Sequence, residues 1–299
     1  MYSIETEQRV IDVDDVKIGG IPGENPTVLI GSLFYRKSPL VTDEEEGKFD
    51  RARAEELITR QDELSDITGN PAMLDVEGST PTAVENYIDF VAERTDSPLL
   101  IGGSTPDIRA AALRMVKERG LEDRVIYNSL MPECSKAEVE AILDAGIDTA
   151  VLLGYTFSDL RPQGRVEALK KLIEETENLG LSNPLLDTFV MDVPSLGIAF
   201  NAMKEVKAKI GLPAGCGPHN AIGMWRGLRK KMKIKSKRPV VASVNAFATA
   251  SGADFLLYGP IEAADDVFPA VSMVDAAYGF NQVQLGKRLT REHPLFKIA

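Results

Sequence analysis

Short runs of apolar and β-branched residues alternate along this chain with longer segments in which apolar residues recur every three to four positions. The short runs predict strands, and the longer segments predict amphipathic helices between them. The predicted strands are residues 27–31, 72–76, 98–102, 124–128, 149–154, 184–187, 212–216 and 254–258. The predicted helices include residues 50–67, 82–94, 107–119, 136–145, 165–179 and 198–210. This alternation is typical of a parallel sheet whose strands are joined by helices.

Eight strands in this rhythm predict one closed (β/α)8 barrel, the TIM barrel of the α/β class. An open, doubly wound sheet is the alternative, but no GxGxxG follows the first predicted strand. Residues 1–26 contain VIDVDDVKIGG, which predicts a β-hairpin extension outside the barrel that covers its bottom. The tail, residues 263–288, predicts a helix that closes the ring. We therefore divide the chain into an N-terminal hairpin, residues 1–26, and a barrel, residues 27–299.

Composition narrows the possible partners and the compartment. With 44% hydrophobic and 26% charged residues, the 299-residue chain can bury a large core. Its formal net charge of −11 argues against nucleic acid as a principal partner. Only two cysteines occur, so we expect a reducing, cytoplasmic compartment. The acidic start MYSIETEQRV does not resemble a signal peptide, and no apolar run approaches the roughly 18 residues that span a bilayer, so we expect no membrane insertion.

Polar residues recur where the predicted strands end, which is where (β/α)8 barrels carry their chemistry. They are Ser32 and Tyr35, Asp75 and Glu77, Gly102-Gly103-Ser104, Asn128-Ser129, Tyr155-Thr156, Asp187-Thr188, His219-Asn220 and Glu262. The set holds carboxylates and amides but no lysine, which disfavours a Schiff-base aldolase. Carboxylates and amides suit a neutral, planar heterocycle such as a pterin, whose amino group and ring N–H one carboxylate accepts together. Asp187 and Asn128 are of the right types.

The turn after the seventh predicted strand is rich in glycine, in the segment GLPAGCGPHNAIGMW, residues 211–225. Glycines there let the backbone approach a ligand closely. Asn220 is placed either to cap the following helix or to face that ligand. His219 is an acid–base candidate, and Cys216 reads as a small buried residue rather than a nucleophile. A zinc site would need further ligands that the sequence does not place nearby, so we expect no metal in this chain.

Five segments together resemble one family. They are DELSDITGNPA (62–72), VIYNS (125–129), PLLDT (184–188), CGPHNAIGMW (216–225) and LLYGPIE (256–262). In order and spacing they are similar to the H-subunit family of tetrahydromethanopterin S-methyltransferase, which includes the bacterial methyltetrahydrofolate methyltransferase of glycine-betaine metabolism. The resemblance extends from residue 19 to residue 297. It implies a pterin-binding barrel, as in dihydropteroate synthase and the corrinoid iron–sulfur protein methyltransferase.

The resemblance also implies roles for individual residues. Asn128 and Asp187 match positions that hold the pterin in such relatives. Asn220 matches an Asn near the methyl-bearing N5. If the turn is aligned with the relatives as one residue shorter, His219 takes that position instead. Relatives usually carry Asp-Ser after the third strand, where this chain has Gly103-Ser104. We expect Ser104 to remain at the pterin and Asp75, on the neighbouring strand, to replace the missing carboxylate.

The function implied is a corrinoid-dependent methyl transfer between N5 of a tetrahydropterin and the cobalt of a corrinoid (cobalamin) on a separate protein. Tetrahydrofolate is favoured over tetrahydromethanopterin because CGPHNAIG resembles the bacterial branch. A homodimer is expected because relatives pair. The alternatives are a pterin-binding or assembly subunit with little turnover, or a condensing enzyme similar to dihydropteroate synthase. The latter would need basic residues at the strand ends to hold a diphosphate. The eight basic residues in 226–238 are interpreted as a solvated helix face or as a dock for an acidic partner.

Overall fold

A computed structural model describes residues 4, 6–35, 37–233 and 237–298 of the chain. Its strands are β1 (Val10–Val13), β2 (Val16–Gly19), β3 (Val28–Phe34), β4 (Val41–Asp43), β5 (Lys48–Phe49), β6 (Ala72–Val76), β7 (Leu99–Ile101), β8 (Val125–Leu130), β9 (Thr149–Leu153), β10 (Asn183–Asp187), β11 (Ala214–Cys216) and β12 (Phe255–Pro260). Its helices are α1 (Arg51–Thr68), α2 (Pro81–Ala92), α3 (Pro106–Arg119), α4 (Lys136–Asp144), α5 (Pro162–Glu177), α6 (Val193–Lys209), α7 (His219–Met224), α8 (Arg226–Lys230), α9 (Arg238–Ala250), α10 (Ala264–Gln284) and α11 (Pro294–Lys297). Among the described residues, no helix is both long enough and apolar enough to cross a bilayer.

Eight of these strands form a closed barrel in the order β10-β11-β12-β3-β6-β7-β8-β9, with every neighbouring pair parallel. The last strand in sequence pairs with the first barrel strand, Leu256 opposite Leu29. The predicted (β/α)8 barrel is confirmed, as are the N-terminal β-hairpin, formed by β1 and β2, and the helical C-terminus. The division of the chain at residue 26 stays a prediction.

Two predicted segments differ from the structure, and proline explains both. Helix α6 begins at Val193 rather than at residue 198, because Asp192 and Ser195 form a capping box and Pro194 occupies the first turn. The basic run 226–238, interpreted as a solvated helix face, is not one helix: residues 226–230 form α8, residue 238 begins α9, and residues 231–233 and 237 lie outside both helices. Pro239 stands in the first turn of α9, and the residue before a proline disfavours a continuing helix. Residues 234–236 of this run lie outside the described residues.

Alternate side chains of the barrel strands point inward, as the period of two in a strand requires. Inward apolar side chains from the strands include Ile30, Met73, Ile126 and Leu185, and they form one inner core. The inner core also contains Ile11, Val13 and Ile18 of the hairpin, which therefore closes the bottom of the barrel, as predicted. Two residues beyond the inward apolar positions the sequence turns polar, at Ser32, Asp75, Asn128 and Asp187. The same periodicity thus places these four side chains at the opposite end, the barrel mouth.

The contribution of the hairpin to the inner core is testable at Ile18, which is fully buried. Ile18→Val removes one methyl group from a packed interior, and we expect it to lower the free energy of unfolding by about 0.5–1.5 kcal/mol. Ile67→Val is the control, because Ile67 is 59% exposed near the end of α1. Denaturant unfolding of both variants measures the difference, and equal losses would show that the hairpin does not pack into the barrel.

A buried ion pair below the barrel ties the hairpin to the strands. Lys207 of α6 donates from Nζ to both carboxylate oxygens of Asp254, at 2.8 and 2.7 Å, and to the Gly20 carbonyl at 2.8 Å. Asp254 Oδ2 also accepts from the Ala214 backbone N–H at 2.8 Å. With all these bonds formed, a lysine that is 0% exposed remains satisfied. The bottom of the barrel is therefore held by charge as well as by apolar packing.

Candidate functional site

Three strands on one side of the barrel, β3, β6 and β8, bring a hydrogen-bonded cluster to the mouth. Asp75 of β6 accepts a hydrogen bond from Ser32 Oγ of β3 at 2.9 Å and another from Asn128 Nδ2 of β8 at 3.0 Å. Burial raises the pKa of Asp75, whereas these two bonds and the nearby His219 oppose that rise. Since its amide N–H is committed to Asp75, Asn128 can offer its carbonyl oxygen to a ligand.

Glu77 lies two residues beyond Asp75 on the same face of the chain, in the exposed part of the mouth. Repulsion from the Asp75 carboxylate raises the pKa of Glu77 to about 7, with a smaller contribution from the partial loss of water around its carboxyl group at the cavity wall, although the side chain as a whole is exposed. A carboxyl group that exchanges its proton near neutral pH is suited to general acid–base chemistry. The sequence paired Glu77 with Asp75 as either a solvated rim pair or part of the site, but the raised pKa of Glu77 was not predictable because it depends on how close the two carboxylates come.

Asp187 at the end of β10 is only 7% exposed. Its Oδ1 accepts a hydrogen bond from the Phe189 backbone N–H at 2.6 Å and so holds the turn after the strand. Its Oδ2 accepts no hydrogen bond from any of the described residues. Burial raises the pKa of Asp187 to about 6, against the opposing effects of the Phe189 N–H and of the Arg165 charge. One oxygen therefore shapes the loop while the other is available to a ligand.

Arg165 is a buried neighbour of Asp187 that the sequence did not reveal. It lies on α5, is 5% exposed, and donates to the carbonyl oxygens of Thr188, at 2.7 Å, and Phe189. These bonds fix the loop that carries Asp187. In the sequence Arg165 opens an amphipathic helix, where an arginine normally reads as a surface residue, so no local signal identifies it.

His219 and Asn220 stand in the first turn of α7, and both border the mouth. A Cβ atom built on Gly217 would lie 3.3 Å from His219 Cε1 and 3.4 Å from Asn220 Nδ2. His219 Nδ1 lies 2.8 Å from the Leu257 carbonyl oxygen, so Nδ1 carries the proton and Nε2 has the free lone pair. Burial lowers the pKa of His219 and favours this neutral form. Asn220 is exposed, and its side chain does not cap α7.

The Gly103-Ser104 departure has a steric origin. A Cβ atom on Gly103 would come within 2.6 Å of Ile108 Cγ2 and 3.0 Å of the Arg109 backbone nitrogen, so this backbone leaves no room for an aspartate. Ser104 is exposed on the rim and lines a cavity of about 390 Å³ together with Tyr35 and Glu77. The structure thus clusters Asp75, Asn128 and His219, places Asp187 on the next wall of the mouth, and leaves Ser104 outside.

The His, Cys, Asp and Glu side chains of the described residues can be compared with what metal binding and thiol catalysis require. Among those residues no three His, Cys, Asp or Glu side chains are arranged to hold a metal ion. Cys216 is fully buried, and burial raises the pKa of its thiol well above the ordinary value. The thiolate that a nucleophile requires is therefore disfavoured at this position.

An apolar rim borders one side of the mouth, on the loops that follow β8, β9 and β10 and at the first residue of α6. Its members are Met131, Phe157, Leu160, Met191 and Val193, which are 48%, 84%, 57%, 48% and 37% exposed. Exposed apolar side chains gathered in one region mark surfaces that bind another protein. The rim lies beside Asp187, so a protein bound there would face the polar floor of the mouth.

Comparison with known proteins places these features in context. The family model described as "Tetrahydromethanopterin S-methyltransferase MtrH subunit" matches residues 6–289. The H subunit of that enzyme from Methanosarcina acetivorans is 36% identical over 315 residues, covering 100% of both chains. The H subunit of a putative methyltransferase, mtx, from Methanosarcina barkeri is 38% identical over 309 residues and 99% of each chain. A dihydropteroate synthase from Coxiella burnetii, solved with pteroic acid, matches with a TM-score of 0.57 at 12% identity, covering 93% of this chain and 100% of that one; this likeness shows the fold alone.

Proposed function

We propose a specific reaction for this chain, which belongs to the family of the tetrahydromethanopterin S-methyltransferase MtrH subunit and is a methyltransferase. In this reaction a methyl group moves between N5 of a tetrahydropterin and the cobalt of a corrinoid carried by a separate protein. The observation that carries the proposal is the convergence of Asp75, Asn128 and Asp187 on one barrel mouth. These groups offer acceptors to the amino and ring N–H donors along the edge of a pterin ring.

Asp187 is the group we assign to the pterin's amino group and adjacent ring N–H. Its carboxylate is held by the Phe189 N–H through Oδ1, and a second oxygen remains for the ligand. A charged acceptor that receives two N–H donors in a buried site binds strongly and fixes the ring's orientation. Asn128, positioned by Asp75, offers a carbonyl acceptor farther along the same edge. We assign Asp75 to the place of the carboxylate that Gly103 cannot supply, and Ser104 to the outer rim of the site.

Methyl transfer requires N5 to keep the bonding electron pair as the methyl group leaves. Because an uncharged tertiary amine is a poor leaving group, N5 must gain a proton or a strong hydrogen bond as that bond breaks. The corrinoid cobalt, when its carrier protein is bound, supplies the nucleophile that accepts the methyl group. This chain's residues hold the ring in line and stabilise N5 as its charge changes. We assign Asn220, with His219 as the alternative, to N5. Glu77, whose pKa is raised to about 7, lies at the same mouth and is suited to supply the proton.

The surfaces of the chain support the partners we propose. The apolar rim beside Asp187 suits a docked corrinoid protein, because such docking needs dry surface around the reacting groups. A second apolar area lies on α10 and α11, where Met273, Phe280 and Phe296 are 60%, 53% and 52% exposed. We propose that this second area contributes to a homodimer. Light scattering that gives the mass of one 32.6 kDa chain at micromolar concentration would overturn the dimer.

Spectroscopy with defined substrates tests the function directly. Methyl-tetrahydrofolate or methyl-tetrahydromethanopterin is mixed with cob(I)alamin and the protein, and methyl transfer is followed in the cobalt absorption. We propose tetrahydrofolate as the better substrate, although the relatives are named for tetrahydromethanopterin, and the ratio of the two rates decides. Pterin binding without a spectral change would favour the assembly subunit. Condensation of a pterin diphosphate with p-aminobenzoate would favour an enzyme of the dihydropteroate synthase type.

The pH dependence of pterin binding tests the assignment of Asp187. Arg165 and Cys216 face its carboxyl group, and burial raises its pKa to about 6. Below pH 6 the group becomes protonated and loses an acceptor, so we expect pterin affinity to approach a tenfold fall per pH unit, whereas above pH 6 this contribution is constant. Calorimetric titration between pH 5 and 8 measures this profile. Asp187→Asn is the control, because the pH dependence of affinity that remains in this variant comes from Glu77 and Asp75. If the variant and the wild type show the same slope, Asp187 does not bind the pterin.

A further inference from the structure

A cavity of about 350 Å³ lies at the C-terminal end of α7, next to the mouth. Its walls include Gly223, Trp225, Arg226, Arg229, Lys230 and Lys237. The four cationic side chains are exposed, and none of them forms an ion pair or side-chain hydrogen bond with the residues that the structure describes. On a chain of net charge −11, these four cations therefore form a local positive patch that no acidic side chain among the described residues neutralises.

The face of α7 leads from the mouth to this cavity. Gly223 lies four residues after His219 and three after Asn220, so all three share one helix face. With a rise of about 1.5 Å per residue, Gly223 at the start of the cavity lies roughly 5 Å from Asn220 along the helix axis. A Cβ atom built on Gly223 meets nothing within 4 Å, so this helix face is open where the cavity starts.

We propose that this cavity binds the side chain of the tetrahydropterin, with Trp225 against its aryl group and the cations around its terminal anions. The inference rests on the proposed function. The side chain of a reduced folate or methanopterin is attached at C6, next to N5, and so leaves the ring beside Asn220. It continues as an arylamine and ends in carboxylates, or in phosphate and carboxylates. A half-buried indole followed by cations matches that order of groups.

The test compares three ligands on the intact protein by calorimetry: 6-methyl-tetrahydropterin, which lacks the side chain, tetrahydrofolate, which ends in carboxylates, and tetrahydromethanopterin, which adds a phosphate. We expect the last two to bind at least about tenfold more tightly than the first, with an advantage that shrinks as salt rises. The ligand with the larger advantage identifies the anion that the cations recognise. Equal affinity for all three ligands would overturn the inference while leaving the proposed function intact. Failure of all three to bind would refute the proposed function itself.

Gly223→Glu places a negative charge at the open entrance of the cavity. We expect it to remove most of the roughly tenfold advantage of the two tailed pterins and to leave binding of 6-methyl-tetrahydropterin unchanged. Gly197→Glu is the matched control, because Gly197 lies on α6 and also has nothing within 4 Å of a built Cβ. Arg229→Gln gives an independent variant without an added acid. If Gly223→Glu slowed transfer to a protein-bound corrinoid while tailed pterins bound normally, the cavity would bind the partner protein rather than the pterin side chain, and the inference would be wrong.

Discussion

Asp187→Asn is expected to weaken pterin binding by about 2–4 kcal/mol, or roughly thirty- to a thousandfold, with the fold intact. The asparagine oxygen can still accept from the Phe189 N–H, so the turn after β10 is retained. Its amide nitrogen, however, presents a donor where the pterin presents donors. The loss therefore combines the missing charged bonds with a repulsive contact. Titration calorimetry of the variant measures it.

The control for this change is Asp192→Asn in the same loop. Asp192 caps α6 through the Ser195 backbone N–H, and asparagine caps a helix about as well as aspartate does. We expect Asp192→Asn to leave pterin affinity unchanged. Equal affinities for the wild type and the Asp187 variant would exclude Asp187 from the binding site, whereas equal losses in both variants would point to a general disturbance of the loop.

Asn220→Ala is expected to lower the methyl-transfer rate by about ten- to a thousandfold, the range for losing one preorganised donor. The Asn220 side chain borders the mouth and makes no hydrogen bond to the described residues that its loss would break. At N5 it acts when charge on that nitrogen changes, and so favours the transition state over the bound ground state. Pterin affinity should fall far less than in the Asp187 variant. Single-turnover measurements separate the two effects.

His219→Ala and His219→Gln test the competing assignment of N5. Alanine removes the bond to the Leu257 carbonyl, whereas glutamine keeps an amide N–H that can replace it. If both variants abolish transfer while Asn220→Ala is near normal, His219 rather than Asn220 lies at N5. If only His219→Ala is impaired and glutamine restores the rate, the role of His219 is to position the turn.

The fold was predictable because two periodicities in the sequence agree. The rhythm of short apolar runs and amphipathic segments gives the barrel, and the period of two within each strand gives its inward side chains. The polar residues that follow Ile30, Met73, Ile126 and Leu185 therefore had to meet at one end. That is why the residue types of the candidate site were visible before any contact was known.

Contacts between distant segments were not predictable in this way. Arg165 acts on a loop 23 residues away, and Lys207 meets Asp254 across 47 residues. Each residue is polar and lies in or beside a helix or strand, where the sequence pattern favours exposure. The steric block at Gly103 involves nearby residues, but it too depends on packing, because Ile108 at the start of α3 folds back against the strand end. Only the packing of the folded chain shows which of these residues contact one another.

Because the hairpin fills the bottom of the barrel, the end of the molecule opposite to the mouth can be used to attach the protein to a surface. Its tip, with Asp14, lies near the starts of β8 and β9, at the end opposite to Asp75 and Asn128. Asp15 at the same tip is exposed and lies outside the inner core. A chain tethered to a sensor surface through Asp15 therefore presents its mouth to the solution, where a bulky protein carrier can reach it. Attachment through the apolar rim would instead turn the mouth toward the support.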